Sequence, residues 1–183
     1  MSETSFGQPL GAIMQVAYIV EDLHQGMKEY AAKYNIGPWF YTDNYVALDA
    51  TYRGQPTDLS MKLCLAFSGH MSFELIEVND TPSVYQETFR QRGAGFHHLG
   101  LACADFDADF KKYQGMGYEP AFCATNVRGA RIAYFDTTPD FPGMMELIEM
   151  TPSQDAFLGK LYEASRDWDG KTDPVRPFSS LVL

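Results

Sequence analysis

Several things are scarce in this chain of 183 residues, and each scarcity excludes something. The three cysteines, Cys64, Cys103 and Cys123, are odd in number and lack metal-ligand spacing. They sit in apolar runs and read as buried, reduced thiols, which points to a cytoplasmic protein rather than a disulfide-stapled one. Basic residues are few, 14 Lys and Arg against 24 Asp and Glu, for a formal net charge of −10. That balance argues against nucleic acid and anionic membrane surfaces as partners. No apolar run approaches the ~20 residues needed to span a bilayer. The polar start, Met1 to Gly11, has no basic segment leading into an apolar core, so no signal peptide is visible. What remains is a hydrophobic content of 45%, ordinary for one domain or two small joined modules.

What is present is an internal repeat, and a repeat changes the reading of the fold. Gly95 to Asp105 reads as a buried strand carrying a histidine and running into an Asp able to cap a helix. Gln15 to Leu23 has the same layout 83 residues earlier, with His98 over Gln15, Ala102 over Ile19 and Asp105 over Asp22. Leu23, Met27 and Tyr30 match Phe106, Phe110 and Tyr113 at the same offset. Each copy closes on Glu-Leu-Ile-Glu, at Glu74–Glu77 and Glu146–Glu149.

Taken in order, residues 1–12 read as a flexible lead-in. Residues 13–78 form a first strand–helix–strand–strand–strand module, residues 79–95 a linker with a helix over Ser83 to Arg92, and residues 96–150 a second such module. A C-terminal helix (154–168) and an extended tail ending in Leu181-Val182-Leu183 complete the chain across 151–183. The first copy carries about a dozen extra residues, placed between Trp39 and Pro56. Trp39, Phe40, Tyr41, Tyr45 and Tyr52 make that stretch aromatic-rich, either as core or as the wall of a pocket for a bulky or aromatic molecule.

Alternate side chains of a strand share a face. Gln15 shares one with Ala17 and Ile19, and His98 shares one with Gly100 and Ala102. Glu74 and Glu146 stand on apolar faces with Ile76 and Ile148. A carboxylate on an apolar face is costly unless a partner neutralises it. Two at matching positions, with Gln15 and His98, imply a cation, and the donor mix suits Zn²⁺, Ni²⁺, Co²⁺ or Mn²⁺. His97 faces the other way and reads as structural or solvent-facing. Glu77 and Glu149 read as solvated, and Arg128 and Arg131 flank a turn, where a solvated position is favoured over the binding of a substrate anion. His24 and His70 sit on a helix surface and a turn.

The duplicated His98-x-Gly-x-x-Cys-x-Asp105 and Glu146-Leu-Ile-Glu patterns resemble the vicinal oxygen chelate superfamily, whose members include glyoxalase I, methylmalonyl-CoA epimerase, extradiol dioxygenases and bleomycin-resistance proteins. The resemblance covers residues 13–150. It implies an α+β fold in which two βαβββ modules form a half-open mixed β-barrel, with metal ligands at Gln15, Glu74, His98 and Glu146 and a homodimeric assembly. It further implies a metal-dependent lyase or isomerase that moves a proton next to a carbonyl of a small molecule, with Glu146 and Glu74 as the candidate catalytic bases. The alternatives are an extradiol-type ring-cleaving dioxygenase and a non-catalytic small-molecule binding protein. The chain departs from glyoxalase I at Ile19 and Ala94, where those enzymes place glutathione-binding arginines. It departs from the epimerases in having no Glu between Asp49 and Phe67.

Overall fold

The computed structural model describes residues 3–181. Val182 and Leu183, at the apolar end of the tail, lie outside the described residues.

The first module opens with β1 (Ile13–Val20), a run of apolar and β-branched residues, and α1 (Leu23–Tyr34). Asp22 caps α1 by accepting from the Gln25 amide at 2.8 Å. β2 (Trp39–Val46), β3 (Leu48–Tyr52), β4 (Gln55–Pro56), β5 (Ser60–Ser68) and β6 (Met71–Glu77) follow. After α2 (Val84–Arg92) the second module repeats the order with β7 (Gly95–Cys103), α3 (Phe106–Gly115), β8 (Pro120–Thr125), β9 (Arg131–Phe135) and β10 (Met144–Glu149). Asp105 caps α3 through the Ala108 amide at 3.0 Å, as Asp22 caps α1. The long C-terminal helix α4 (Pro152–Arg166) begins two residues ahead of the position expected from its apolar spacing. Thr151 caps it and Pro152 opens it, since a missing N–H is harmless in a first turn. A short β11 (Val175–Pro177) and a 3₁₀ turn end the described chain.

All strands lie in one mixed sheet, in the order β11-β2-β5-β6-β1-β7-β10-β9-β8-β3-β4. The two modules meet where β1 pairs antiparallel with β7, and in each module the last strand runs parallel to the first. The architecture is the α+β, two-module mixed sheet of a half-open barrel.

The extra length of the first copy has a structural use. β2 leaves its partner β5 at Val46↔Ser60, and two residues later Leu48 pairs with Thr125 of β8. The chain thus crosses from the outer edge of one module to the outer edge of the other. Arg53 holds the crossing segment by donating to Glu87 on α2 and to Asp136 beyond β9, at 2.7 and 2.9 Å.

α1 covers one side of the sheet over Trp39, Cys64 and Leu75, and α3 does the same in the second module over Phe135 and Leu147. α2 and α4 pack against the main cluster through Val84, Tyr85, Phe157, Leu158 and Leu161. The N-terminal segment is seated rather than loose. Phe6 is fully buried against Phe67, and Ser5 bonds to Asp155 of α4. Its two large apolar side chains within the described residues, Phe6 and Leu10, are too few for sequence periodicity to register. No helix of the described residues is long and apolar enough to cross a membrane.

Candidate metal centre and its cavity

Sheet register builds the centre from two rows that cross four strands side by side. In one row Glu74 (β6) stands beside Ala17 (β1), which stands beside His98 (β7). In the adjacent row Gln15 (β1) stands beside Gly100 (β7), which stands beside Glu146 (β10). Each row puts a residue with almost no side chain between two functional ones, and the repeat relates the rows to each other. Gly100 is needed for that closeness, because a Cβ there would lie 2.9 Å from the Gln15 Cβ and 3.4 Å from a Glu146 oxygen.

The four side chains converge. His98 Nε2 lies 3.1 Å from Glu146 Oε2 and 3.4 Å from Glu74 Oε2. Gln15 Nε2 donates to Glu74 Oε2 at 3.1 Å and to Glu146 Oε2 at 3.4 Å. One donor atom each from Glu74, His98 and Glu146 falls within a span of 4.8 Å. All are inaccessible or nearly so, from 0% exposure at His98 to 7% at Glu74. Burial first, and then the neighbouring Glu146 carboxylate, pushes the Glu74 carboxyl well above its ordinary range, against the Gln15 hydrogen bond.

The state of His98 follows from its neighbours. His97 Nε2 lies 3.3 Å from the Val84 carbonyl, which can only accept, so that nitrogen carries the proton. Burial, followed by the nearby His98, lowers the His97 pKa, so its ring is neutral and its Nδ1 is an acceptor. His98 Nδ1 is 2.8 Å away and donates to it. The chain Val84–His97–His98 therefore puts a proton on His98 Nδ1 and turns Nε2 toward the two carboxyl groups. Two carboxyl groups gathered this tightly in a buried place call for a positive charge between them. A divalent cation fits these donors. Gln15 would offer it Oε1, which requires turning the amide from its present donor orientation.

His97 is structural, one of the two readings that strand alternation leaves it, and it does not face solvent. Its ring stacks on Tyr85 at 4.9 Å, fully buried, while its nitrogen reaches back to His98. Tyr134 sets its ring edge-on to His98 at 4.9 Å and shares a 2.9 Å hydroxyl bond with Tyr85, so aromatic rings wall the imidazole pair. No local signal marks these contacts, because α2 and β9 supply them from elsewhere in the chain.

Other candidates lie outside the centre. His70 bonds to the Phe6 carbonyl, and His24 pairs with Asp43 on the surface. Glu77 is not simply solvated, since it accepts from the Leu23 amide and from Lys62. Glu149 and Asp107 hold Arg131.

A cavity of about 430 Å³ opens onto the centre. Gln15, Glu74 and Glu146 line it at one place, Met61, Leu63, Leu65, Ile132 and Ile148 form apolar walls, and α4 with Phe178 and Leu181 covers it. Of the five aromatic residues in the inserted stretch, Tyr45 lines the cavity. Burial, with the Glu146 and Glu74 charges, raises the Tyr45 hydroxyl far above its ordinary value and keeps it protonated. Arg128 also faces this cavity rather than standing on a solvated turn.

A family model described as glyoxalase/bleomycin resistance protein/dioxygenase superfamily matches residues 14–135. Among solved structures, methylmalonyl-CoA epimerase from Mycobacterium tuberculosis is similar with a TM-score of 0.58 at 18% identity, over 85% of this chain and 97% of that one. A hypothetical protein from Bacillus halodurans C-125 gives 0.56 at 15% identity, over 76% and 94%. A variant of the Streptomyces coelicolor methylmalonyl-CoA epimerase, in complex with 2-nitronate-propionyl-CoA, gives 0.52 at 20% identity, over 79% and 98%. At these identities the likeness is one of fold. No curated protein matches the chain.

Proposed function

This chain belongs to the glyoxalase/bleomycin resistance protein/dioxygenase superfamily, also called vicinal oxygen chelate, and on that premise we propose a metal-dependent lyase or isomerase that moves a proton next to a carbonyl. The observation that carries the proposal is the buried Glu74, His98 and Glu146 group, joined by Gln15, at a cavity able to admit a small molecule. Gln15, Glu74, His98 and Glu146 would hold the ion, which is Zn²⁺, Ni²⁺, Co²⁺ or Mn²⁺ on donor chemistry. Bound there, it would supply a Lewis acid for a carbonyl oxygen and acidify the adjacent C–H.

The protein's own groups do the rest. Both carboxylates line the cavity, so both face a bound substrate. By its position on the last strand, the place of the ligand glutamate that takes the substrate proton in glyoxalase I, Glu146 is the group that would take a proton from carbon and return it. Glu74 serves the opposite side. The apolar walls and the α4 cover exclude water from the reacting carbon. A ring-cleaving dioxygenase fits less well, because such iron sites use two histidines and one carboxylate. His97 adds no second ligand while its nitrogens go to His98 and Val84. A binding protein of the bleomycin-resistance type lacks metal ligands, and the presence of all four here favours the enzyme. Action in the cytoplasm as a homodimer belongs to the same proposal.

The test is solvent deuterium exchange into carbonyl compounds, followed by NMR with metal-loaded protein. Glu146→Gln keeps its metal, since an amide oxygen still ligates, and loses turnover by at least ~100-fold, the usual worth of a general base. Near wild-type exchange in a metal-replete Glu146→Gln protein would remove Glu146 from the mechanism.

A further inference from the structure

We propose that Arg128 is the anion-binding end of the cavity, and that the substrate is a compact monocarboxylic acid whose carboxylate sits on Arg128 while its carbonyl end faces the Glu74, His98 and Glu146 group. The inference rests on the reading above and names the substrate class for that same site.

Arg128 is the one basic side chain lining the cavity among the described residues. Its guanidinium carbon lies over the Phe157 ring, 3.8 Å from the centroid, which restrains the side chain. Nε donates to Gln154 Oε1 at 2.9 Å, and Asn126 steadies both by donating to the same oxygen and accepting from the Arg128 amide. The two Nη groups, which can hold a carboxylate end-on through two parallel bonds, have no acceptor among the described residues.

Two other arginines of this acidic protein are each held by a pair of carboxylates. Arg53 is bonded to Glu87 and Asp136, and Arg131 to Glu149 and Asp107. Arg128 faces its cavity without a carboxylate, although acids outnumber bases 24 to 14 in the chain. A half-buried, positioned and unneutralised guanidinium beside an apolar wall is a built receptor for one negative charge. Burial disfavours its charged form, and a bound anion would reverse that penalty.

The same lining limits the anion. One cation matches a carboxylate better than a phosphate dianion, and Glu74 and Glu146 in the same cavity repel further negative charge. The enclosed volume of about 430 Å³ suits a small acid with a short apolar or aromatic body. A free acid therefore fits better than a coenzyme A thioester, whose several phosphates find no counter-charges here.

The test is isothermal titration calorimetry with hydrocinnamate, its neutral amide hydrocinnamamide, and phenyl phosphate. Wild-type protein should bind hydrocinnamate at least about tenfold more tightly than the amide, roughly 1.4 kcal/mol. Arg128→Gln should bring that ratio to about one while leaving the amide affinity within about threefold, and Arg128→Lys should keep part of it. A preference that survives Arg128→Gln would place the anion away from Arg128 and overturn the assignment while leaving the metal reading standing. Equal binding of acid and amide, no binding of the acid, or tighter binding of phenyl phosphate would also overturn it. Metal content, measured on the same samples, reports separately on the proposed function.

Discussion

Replacing His97 by Phe isolates the one contact that orients His98. Phenylalanine keeps the stacking on Tyr85 and nearly the same volume, so the core around α2 stays filled. It loses both ring bonds, the 2.8 Å bond from His98 Nδ1 and the 3.3 Å bond to the Val84 carbonyl. A buried His98 Nδ1–H without an acceptor costs ~1–3 kcal/mol. The ring can escape that cost by moving its proton to Nε2, where Glu146 accepts it at 3.1 Å. That tautomer uses the lone pair a metal needs, so binding must first undo it. Loss of a hydrogen bond behind a metal-binding histidine typically weakens metal affinity by ~10–100-fold. We therefore expect His97→Phe to bind Zn²⁺ or Co²⁺ about 10–100-fold more weakly in competition with a chromophoric chelator, with a circular dichroism spectrum like that of wild type. His97→Gln, which offers an amide oxygen in place of the ring nitrogen, should recover part of the loss. Wild-type affinity in a folded His97→Phe protein would refute the hydrogen-bond chain as the device that sets the His98 tautomer.

Gly100→Ala places a methyl group 2.9 Å from the Gln15 Cβ and 3.1 Å from Ile148, so it should lower stability by ~1–3 kcal/mol in urea unfolding and weaken metal binding as the two rows are forced apart. An unchanged unfolding midpoint would show that the sheet absorbs the methyl group. Arg53→Met should release the crossing segment between β2 and β8, costing about 1 kcal/mol at neutral pH, as expected for a partly exposed ion-pair network. Arg53 hydrogen bonds hold Glu87 below its usual 4.5, and at Asp136 burial pushes upward but the Thr138 and Arg53 bonds outweigh it and hold it below 3.8. Depressed carboxyl pKa values stabilise above those ordinary values and lose their effect as pH falls through the folded ones. The gap between wild type and Arg53→Met should therefore close as the pH is lowered from about 5 toward 3; a gap that widens in acid would contradict this account.

The two rows were legible in the sequence because both of their ingredients are local. Strand alternation sorts Gln15, Glu74, His98 and Glu146 onto shared faces, and the repeat matches one pair to the other. The capping roles of Asp22 and Asp105 were legible for the same reason, since an N-cap acts within three residues. His97 was not, because alternation gives the face of a side chain and not how far its polar atom turns back toward a neighbour. Arg128 was legible only as the lesser of two readings, because a turn residue becomes a cavity wall only when α4 brings Phe157 and Gln154 over it from 26 to 29 positions further along. Phe6 was hidden similarly, since the groove that receives it is made by β5 and α4. Of the inserted aromatic residues, Trp39 and Tyr41 fell to the α1 side of the sheet and Tyr45 to the cavity, a division that depends on the irregular pairing of β2 with β5 between Thr42 and Tyr45.

The claim on which the rest depends is that Gln15, Glu74, His98 and Glu146 hold a divalent metal ion. Elemental analysis of the purified protein, beside His98→Ala prepared in the same way, tests it directly. The account predicts about one equivalent of Zn, Ni, Co or Mn per wild-type chain, and loss of most of it in a folded His98→Ala protein, which lacks the single nitrogen donor of the four. Equal metal content in the two proteins, or a wild-type protein that takes up no divalent metal when it is supplied, would contradict it.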